Sequence, residues 1–575
     1  MTWGKRRALI IGLVILFFVL LVWAGSKPAR LASHSVLVID AQGEINEQRE
    51  PDFFSVFSGS SVPVLHDIVD AIDAAESDGR ISGLVVRIAP LHTGWGKLEE
   101  IRTHLLQFRK SGKPSICYLG YDGIGNPEYY LASACQQIWL VPTAPVSIRG
   151  MMAEAMFFRG TLDKLKIVPE FYHIAEYKTA GNLYTEKKFT PAHREEVENL
   201  LHGIYGQYLT EASEARGMDR AKFEALVSRG PLQSGEAVES KVVDRLGYWD
   251  QVQEYFKKRS GEWNPVPLNR YKFFVKNSAA AGGERIAVVH ASGLIVSGAS
   301  ESSPGGGSVM GGDSVAADIR RAREDSSIKA IVLRVDSGGG SVVASEVIRR
   351  EVELARAAKP VVVSMSDVAA SGGYWISVNA NKIVADPNTI TGSIGVLIGK
   401  LNISGLYNLL GLSTDYVATS DNATLFSAQQ NFSPAQRAYI ERSIQKTYAE
   451  FTEGVAAGRN MTVKKVDQIG KGRVWTGTQA KEIGLVDELG GLDRAIGVAK
   501  ELAHISASER VRIVRFPEEK SFFQMLFERE RGQWTDGRWA TAHGVNARSL
   551  DAMVRKIVDT MGPVQARIPY ELHIR

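Results

Sequence analysis

Cysteine is scarce in this sequence, and neither sign of charge dominates it. Its 575 residues include two cysteines, Cys117 and Cys135, which are too few for a disulfide framework or for a zinc site with four cysteine ligands. The 68 Lys and Arg residues barely outnumber the 64 Asp and Glu residues, and a bias this weak does not indicate nucleic-acid binding. No HExxH motif, Walker loop or paired-cysteine ligand set occurs. We therefore expect no metal and no cofactor.

The residues that are present are those of a folded chain. Hydrophobic residues make up 44% and charged residues 23%, which excludes a largely disordered protein. At about 100–200 residues per domain, the length suits two to four domains. The two cysteines fall on a predicted strand and on the helix after it, and we expect two free, buried thiols rather than a bridge.

The first 34 residues are typical of a membrane signal. Three basic residues at 5–7 precede an uncharged apolar run over 8–25, which as a helix spans about 27 Å. This run is longer than the apolar core of about 7–15 residues in a cleaved signal peptide. We therefore predict an uncleaved anchor over 1–34, with its basic tip in the cytoplasm and the body of the chain outside.

The remainder of the chain contains one unit twice. An amphipathic helix and strand at 62–88 have the same plan as 312–335, and the segment 189–218 matches 432–461. Strands and helices alternate within each copy, which predicts an α/β unit with a largely parallel sheet. The predicted segments are an N-terminal repeat over 35–255, a linker over 256–284, a C-terminal repeat over 285–500, and an extension over 501–575 with no counterpart in the first half.

Two positions at which the copies differ are candidates for the chemistry. In the second copy, Ser371 stands opposite Asn126 of the first copy. In the first copy, Lys178 stands opposite Asp421 of the second. One copy thus carries a serine and the other a lysine. Taken alone, however, Ser371 is equally readable as a helix N-cap, and Lys178 as a solvated surface lysine.

The surroundings of the serine suit a nucleophile. Ser371 lies between small residues and before an apparent helix over 374–380, whose N-terminus would favour a developing negative charge. The glycine-rich turn at 336–341, which follows a predicted strand, could present backbone N–H groups to the same anion. A tight connection between strand and helix is the alternative interpretation of this turn.

A lysine base requires a lowered pKa, which burial can supply. The ordinary pKa near 10.4 must fall by roughly three units before a useful fraction of the lysine is neutral near pH 7. The competing bases are His173 and His290, the latter inside a predicted strand. Both are more readily interpreted as structural histidines.

Three motifs carry a resemblance to a known family. They are AASGGYW at 369–375, TGSIGVL at 391–397 and EYKTA at 176–180. With these motifs the chain resembles the long, duplicated form of the signal peptide peptidase A family, which are membrane-anchored serine proteases of bacteria. The resemblance implies a tandem duplication of a crotonase/Clp-protease-like ββα unit.

The resemblance also implies roles for single residues. Ser371 would be the nucleophile, Lys178 the general base, and Ser393 the residue that orients the lysine. The backbone N–H groups of Gly339 and Gly372 would form the oxyanion hole. The sequence departs from the family at 336–340, where Asp-Ser-Gly-Gly-Gly replaces the common Asn-Ser-Pro-Gly-Gly, and loss of the proline makes this loop more flexible.

The implied function is degradation of cleaved signal peptides and similar apolar peptides by a Ser–Lys dyad. It would take place on the outer, periplasmic face of the bacterial cytoplasmic membrane, with no cofactor and no nucleic acid. The expected partners are peptide substrates, membrane lipid around the N-terminal helix, and further copies of the chain in a homotetramer. Two alternatives stay open: an acyl-CoA hydratase or thioesterase of the same fold, and a catalytically inactive membrane scaffold. A separation of Ser371 and Lys178 above about 5 Å would argue against the dyad.

Overall fold

The computed structural model describes residues 31–49, 64–278, 283–302, 308–518, 565–567 and 573–574. The predicted anchor at 8–25 lies outside these residues. Within the described ranges, no helix is both long and apolar enough to cross a membrane.

The N-terminal unit alternates strands and helices as predicted. Its strands are β1 (Ser35–Gly43), β2 (Ile81–Leu91), β3 (Ser115–Leu119), β4 (Gln137–Leu140), β5 (Ala153–Glu154), β6 (Val168–His173), β7 (Arg245–Leu246) and β8 (Asn264–Pro267). Its helices are α1 (Leu65–Ser77), α2 (Trp95–Lys110), α3 (Asn126–Ala132), α4 (Arg159–Lys164), α5 (Asn182–Thr185), α6 (Pro191–Ala215), α7 (Arg220–Arg229), α8 (Ser234–Glu239), α9 (Trp249–Ser260) and α10 (Leu268–Ser278).

The C-terminal unit repeats the main alternation of strands and helices and adds several short strands. Its strands are β9 (Arg285–Ser292), β10 (Leu294–Val296), β11 (Glu301–Ser302), β12 (Ser308–Gly311), β13 (Ile328–Ser337), β14 (Gly339–Ser341), β15 (Val361–Ala370), β16 (Lys382–Ala385), β17 (Ile390–Gly392), β18 (Leu397–Asn402), β19 (Val474–Thr476), β20 (Glu488–Leu489) and β21 (Arg512–Phe516). Its helices are α11 (Gly312–Glu324), α12 (Val342–Ala358), α13 (Gly372–Trp375), α14 (Ser404–Leu409), α15 (Pro434–Gly458), α16 (Val463–Ile469), α17 (Gly477–Glu482) and α18 (Leu492–Leu502).

Each unit is built on a largely parallel sheet that is covered on both faces. The first sheet has the order β7-β4-β3-β2-β1-β8 with every pair parallel. Its strands are apolar on both sides because side chains alternate between two cores. On β2, Leu84 and Val86 join one hydrophobic cluster while Val85 joins the cluster on the opposite face. The second sheet has eight strands, in the order β19-β17-β15-β13-β9-β21 with β16 paired to β15 and β20 paired to β16, and its pairs are parallel except that of β17 with β19. The predictions of an α/β fold and of a duplication are confirmed.

A third sheet joins the two units. The strand β6 of the N-terminal unit pairs antiparallel with β18 of the C-terminal unit, from Val168 opposite Asn402 to His173 opposite Leu397. An arm of the first unit therefore crosses onto the second. The short strand β22 (Gln565–Arg567) lies in the same sheet, between β14 and β18, and β23 (His573–Ile574) pairs with β5.

The boundaries of the repeats differ from the prediction. The supposed linker 256–284 contains β8, which pairs with β1, and the helix α10. The two prolines of Asn-Pro-Val-Pro suggested a connector, but β8 is an edge strand, where a missing N–H is tolerated. Its counterpart β21 pairs with β9 in the same way. The linker prediction is therefore wrong through residue 278, and the extension 501–575 does begin with a counterpart of the first half.

The two cysteines form a bridge, so the expectation of free thiols is wrong. Cys117 lies on β3 and Cys135 in the turn after α3, and their Cα atoms are 5.7 Å apart. Both side chains are fully buried. The 18-residue connection returns along the sheet and brings the second thiol beside the first. Sequence spacing alone does not reveal that return.

Candidate active site

The lysine of one unit and the serine of the other meet in the interior. Lys178 Nζ lies 2.7 Å from Ser371 Oγ, 3.0 Å from Ser393 Oγ and 3.1 Å from the Ser393 carbonyl oxygen. All three residues are fully buried. The separation is well below the 5 Å limit set from the sequence, and it lets a proton pass directly between Oγ and Nζ.

Backbone geometry sets the position of the serine. Ser371 follows β15 and has φ 55° and ψ −112°, an unfavourable conformation for a residue with a side chain. Its N–H donates to the Gly392 carbonyl at 2.8 Å. Because β17 runs parallel to the end of β15, Ser393 emerges next to Ser371, and it too has a positive φ, of 50°.

The apparent helix after the serine is shorter than predicted. The helix α13 covers only Gly372–Trp375, and turns follow it. The apolar residues from Tyr374 onward are buried because the segment passes through the core, and burial produced the helix-like pattern. Because this helix is only one turn long, its dipole is small. The backbone N–H groups of the turn itself are therefore what a substrate oxygen would meet.

Glycines of the C-terminal unit make room for the lysine. Lys178 follows β6, and the N–H of Tyr177 donates to the Lys471 carbonyl at 3.1 Å. A Cβ on Gly472, whose φ is +80°, would lie 2.5 Å from the backbone nitrogen of Lys178. A Cβ on Gly395 would lie 3.1 Å from Lys178 Cδ. The lysine is therefore held by close backbone contact across the boundary between units.

Burial makes Lys178 a competent base. Removal from water lowers its pKa to about 7, while the nearby Glu196 carboxyl opposes this shift. Burial raises the pKa of Glu196, while the Lys178 charge lowers it, so each of the two groups affects the titration of the other. Roughly half of the lysine is then unprotonated near pH 7.

Glu196 is a site residue that the sequence reasoning missed. Its carboxylate accepts hydrogen bonds from the Val474 N–H at 2.9 Å and from Thr179 Oγ at 3.2 Å. Thr179 directly follows the lysine, so Glu196 ties this turn to β19 of the other unit. The signal was available, because the copies differ here as well: Glu196 stands opposite Tyr439.

The competing histidines have other partners. His173 is exposed, and its ring Nδ1 lies 2.9 Å from the Ala175 carbonyl. His290 is buried in β9, which lowers its pKa to about 3, and lies 3.9 Å from Glu47. Among the described residues, no hydrogen bond joins either histidine to Ser371.

The two oxyanion-hole candidates lie side by side. A Cβ on Gly372 would be 3.0 Å from Gly339 Cα. The N–H of Gly339 donates to Ser337 Oγ at 3.1 Å, so a substrate oxygen would have to share or replace this bond. Gly339 has φ 100°, which only glycine adopts without strain. An extended strand, β22, runs antiparallel to β14 at this point, with Arg567 opposite Gly339.

In each unit, the position equivalent to the reacting residue of the other unit holds a structural residue: Asn126 is equivalent to Ser371, and Asp421 to Lys178. Asn126 begins α3 where Ser371 precedes α13, and its side-chain amide makes hydrogen bonds of 2.8 and 3.0 Å with the backbone of Arg149. Asp421 lies in an exposed 3₁₀ turn over Asp421–Thr424. Within the described ranges, a Ser–Lys pair therefore forms once, across the units.

One group of potential metal ligands lies elsewhere. His104 Nδ1 is 2.6 Å from Asp73, and His104 Nε2 is 3.5 Å from Asp493. Burial lowers the pKa of His104, but the hydrogen bond to Asp73 and the charges of both aspartates raise it to about 9. The ring is thus an imidazolium between two carboxylates, which accounts for the cluster as an ion pair.

Comparison with known proteins places the chain among proteases. The profile of peptidase family S49 matches it twice, at residues 107–261 and 353–506. Serine protease SPPA, chloroplastic, of Arabidopsis thaliana is 34% identical over 547 residues, which are 94% of this chain and 78% of that protein. Protease 4 of Salmonella typhi is 36% identical over 532 residues, 87% of this chain and 84% of the relative.

Similarity of this extent defines the chain as a serine peptidase. It belongs to peptidase family S49, and the resemblance to the signal peptide peptidase A family is confirmed. A solved structure of ClpP1 from Listeria monocytogenes overlaps 39% of this chain with a TM-score of 0.25 and 14% identity. That overlap is too small to carry an argument, and the crotonase/Clp type of the unit stays a prediction.

Proposed function

We propose that this peptidase uses Ser371 as its nucleophile and Lys178 as its general base. The observation that carries the proposal is the 2.7 Å contact between Lys178 Nζ and Ser371 Oγ at a fully buried lysine whose pKa is about 7. Ser393 supports it by offering two oxygens to the same nitrogen, which fixes the direction of the amine. The inactive-scaffold alternative provides no reason for this placement.

The mechanism follows from these contacts. Neutral Lys178 takes the Ser371 hydroxyl proton as Oγ attacks the peptide carbonyl, and the oxyanion is held by the N–H groups of Gly339 and Gly372. The tetrahedral adduct then breaks its C–N bond, and the Lys178 ammonium protonates the leaving amine. A water molecule that gives its proton to Lys178 hydrolyses the remaining ester and restores Ser371.

The substrate class we propose is an extended, apolar peptide such as a cleaved signal peptide, met at the outer face of the cytoplasmic membrane. The pairing of β22 with β14 and β18 supports an extended substrate, since a strand fits beside the proposed oxyanion hole. The uncharged run at 8–25 supports a location at the membrane.

Hydrolysis of an apolar signal-peptide substrate by the full-length chain tests the dyad. Ser371→Ala and Lys178→Ala are each expected to lower kcat/KM by about 10²–10⁴-fold or more, as for loss of a nucleophile or general base. His173→Ala is the matched control and should stay within about twofold of wild type. Full activity in Lys178→Ala, with folding retained, would remove the lysine from the mechanism.

We further propose that four chains close into a ring by repeating the contact between units. Within one chain, β6 of the first unit pairs with β18 of the second. By the duplication, the counterpart of β6 in the second unit is 411–416, and the counterpart of β18 in the first unit is 152–157. Both segments expose apolar side chains. These are Leu412, Tyr416, Met152 and Met156, which are 49%, 60%, 59% and 71% exposed. Pairing 411–416 of one chain with 152–157 of the next is a head-to-tail contact that can close, and it would displace β23 from β5.

Sedimentation of the purified full-length chain tests this assembly. Met156→Asp and Tyr416→Asp should each shift the tetramer to smaller species, because each places a charge in an apolar contact. Tyr248→Asp is the control, since Tyr248 is similarly exposed at 53% but lies outside both segments. A monomeric wild type at micromolar concentration would contradict the ring.

A further inference from the structure

A second lysine of the N-terminal unit reaches into the C-terminal unit beside the proposed site. Lys97, on α2, places its Nζ 2.7 Å from Asp336 Oδ2 and 2.8 Å from Asp367 Oδ2. Its side chain is almost completely buried, and both aspartates belong to the other unit. The dyad does not use this ammonium group.

The two aspartates lie on the strands that carry the reacting groups. Asp336 is on β13, three residues before Gly339, and Asp367 is on β15, four residues before Ser371. The Asp336 carboxylate also accepts a hydrogen bond from the Val368 N–H at 3.3 Å. Through Asp336 and Asp367, Lys97 therefore joins the oxyanion segment to the nucleophile strand.

The start of α2 is built to approach this point. The Lys97 N–H donates to Asp367 Oδ1 at 2.8 Å, so backbone and side chain of one residue hold the same carboxylate. A Cβ on Gly94 would lie 2.2 Å from the Asp367 carboxyl carbon, and one on Gly96 would lie 3.0 Å from the Ser366 carbonyl oxygen. A side chain at Gly94 would displace the Asp367 carboxylate, and one at Gly96 would force the Ser366 backbone to shift.

The segment held by Asp336 has little stiffness of its own. Gly338, Gly339 and Gly340 follow in succession, and glycine restricts the backbone less than any other residue. Without Lys97, two buried carboxylates would face each other on adjacent strands and push them apart. The Lys97 ammonium is thus a contact from the other unit that holds this segment, in addition to the pairing of β14 with β10 and β22.

We propose that Lys97 is a positioning residue that fixes the oxyanion segment against the nucleophile strand, an inference that rests on the proposed roles of Ser371 and Gly339. The N-terminal unit then contributes twice to the site: Lys178 as the base, and Lys97 as the link that aligns the transition-state donors. A donor displaced from the oxyanion affects the transition state and not the bound substrate.

The test compares Lys97→Met with Lys272→Met in the full-length chain. Lys272 forms an ion pair of the N-terminal unit with Asp67 at 3.2 Å, with both side chains mostly buried, and touches neither strand. Active sites are counted by titration with a serine-reactive phosphonate, so that kcat refers to folded, competent sites. We expect Lys97→Met to lower kcat by roughly 10- to 100-fold, less than the 10²–10³-fold loss of a whole oxyanion donor. KM and the acid limb of kcat/KM near pH 7 should be unchanged.

A double variant keeps the test decisive if Lys97→Met folds poorly. In Lys97→Met with Asp336→Asn, one negative charge is gone and the new amide can donate to Asp367, which links the two strands again. We expect kcat per titrated site to recover by at least about fivefold over Lys97→Met. The proposal is overturned if Lys97→Met keeps the wild-type kcat per titrated site, if the double variant recovers none of the lost kcat, or if Lys272→Met lowers kcat equally. Failure of the dyad itself would show differently, as activity that survives in Ser371→Ala.

Discussion

A lysine acts as a base near neutral pH only when its surroundings oppose the ammonium form. At Lys178, burial lowers the pKa of the amine, and the charge of Glu196 raises it. The neutral fraction of the lysine, and hence the rate, should rise with pH through about 7. The two side chains together set the working pH of the site.

Glu196→Gln should extend activity to lower pH. A charged Glu196 raises the pKa of Lys178, so its replacement by an uncharged amide lets the lysine lose its proton more easily. We expect the acid limb of kcat/KM to move down by about half a pH unit to one unit. Glu195→Gln is the control, because Glu195 is half-exposed and pairs with Arg473 instead. A limb that moves upward, or moves equally in both variants, would contradict the role of Glu196.

Lys178→Met should be inactive but more stable. The pKa of the lysine falls from 10.5 to about 7 on folding, so the unfolded chain binds more protons between these values and wild-type stability rises with pH across that window. At pH 7 the penalty is about 4 kcal/mol, from roughly 1.4 kcal/mol for each pKa unit. Urea unfolding at pH 7 and pH 9 should show the variant more stable, with a smaller difference at pH 9. A difference independent of pH would argue against a buried neutral lysine.

Among the elements, the strand and helix pattern was more predictable than the ends of the units. Apolar runs such as Val361–Val363 and the alternation of strands with amphipathic helices follow from burial on both sheet faces, and the sequence predicts them. The edge strand β8 was missed because its prolines resemble a connector, and the helix after Ser371 was overestimated because core burial imitates helical periodicity. Both errors arise where tertiary contacts override local pattern.

The disulfide stabilises one element pair without taking part in the reaction. It closes an 18-residue connection between β3 and the turn after α3, in the core of the N-terminal unit. Chain entropy alone predicts a loss of about 3 kcal/mol when Cys117→Ala and Cys135→Ala are combined. The unfolding free energy should fall by that amount, while kcat at 25 °C stays within twofold. A loss of activity equal to that of Lys178→Ala would place the bridge in the site instead.

At the scale of the whole molecule, buried charges hold the two units together. Arg334 on β13 has no exposed surface, and its guanidinium lies 2.8 Å from Glu47 and 2.9 Å from Glu100, both of the other unit. The contact between Lys178 and Ser371 was predictable because each copy lacks what the other has and the family resemblance implies the same pair. The contacts of Arg334 with Glu47 and Glu100 were not predictable, because nothing in the spacing of these three residues indicates that they meet.

Arg334→Met should destabilise the molecule strongly. Two buried carboxylates would lose their cation, which costs about 3–5 kcal/mol. Adding Glu47→Gln and Glu100→Gln to this variant should restore most of the loss, because no unpaired charge then remains. Arg494→Met, which removes an exposed pair with Glu488, should cost less than about 1 kcal/mol. Equal losses in Arg334→Met and Arg494→Met, measured by urea unfolding, would mean that the buried cluster contributes nothing special.

The most direct test of the cross-unit dyad is the pH dependence of covalent labelling by a serine-reactive phosphonate, which needs no knowledge of the natural substrate. Peptide mapping should place the label on Ser371, and the labelling rate should rise through a pKa of about 7. In Lys178→Met the rate should fall by at least about 10²-fold and lose this pH limb. A label on another serine, or an unchanged limb in Lys178→Met, would contradict the account.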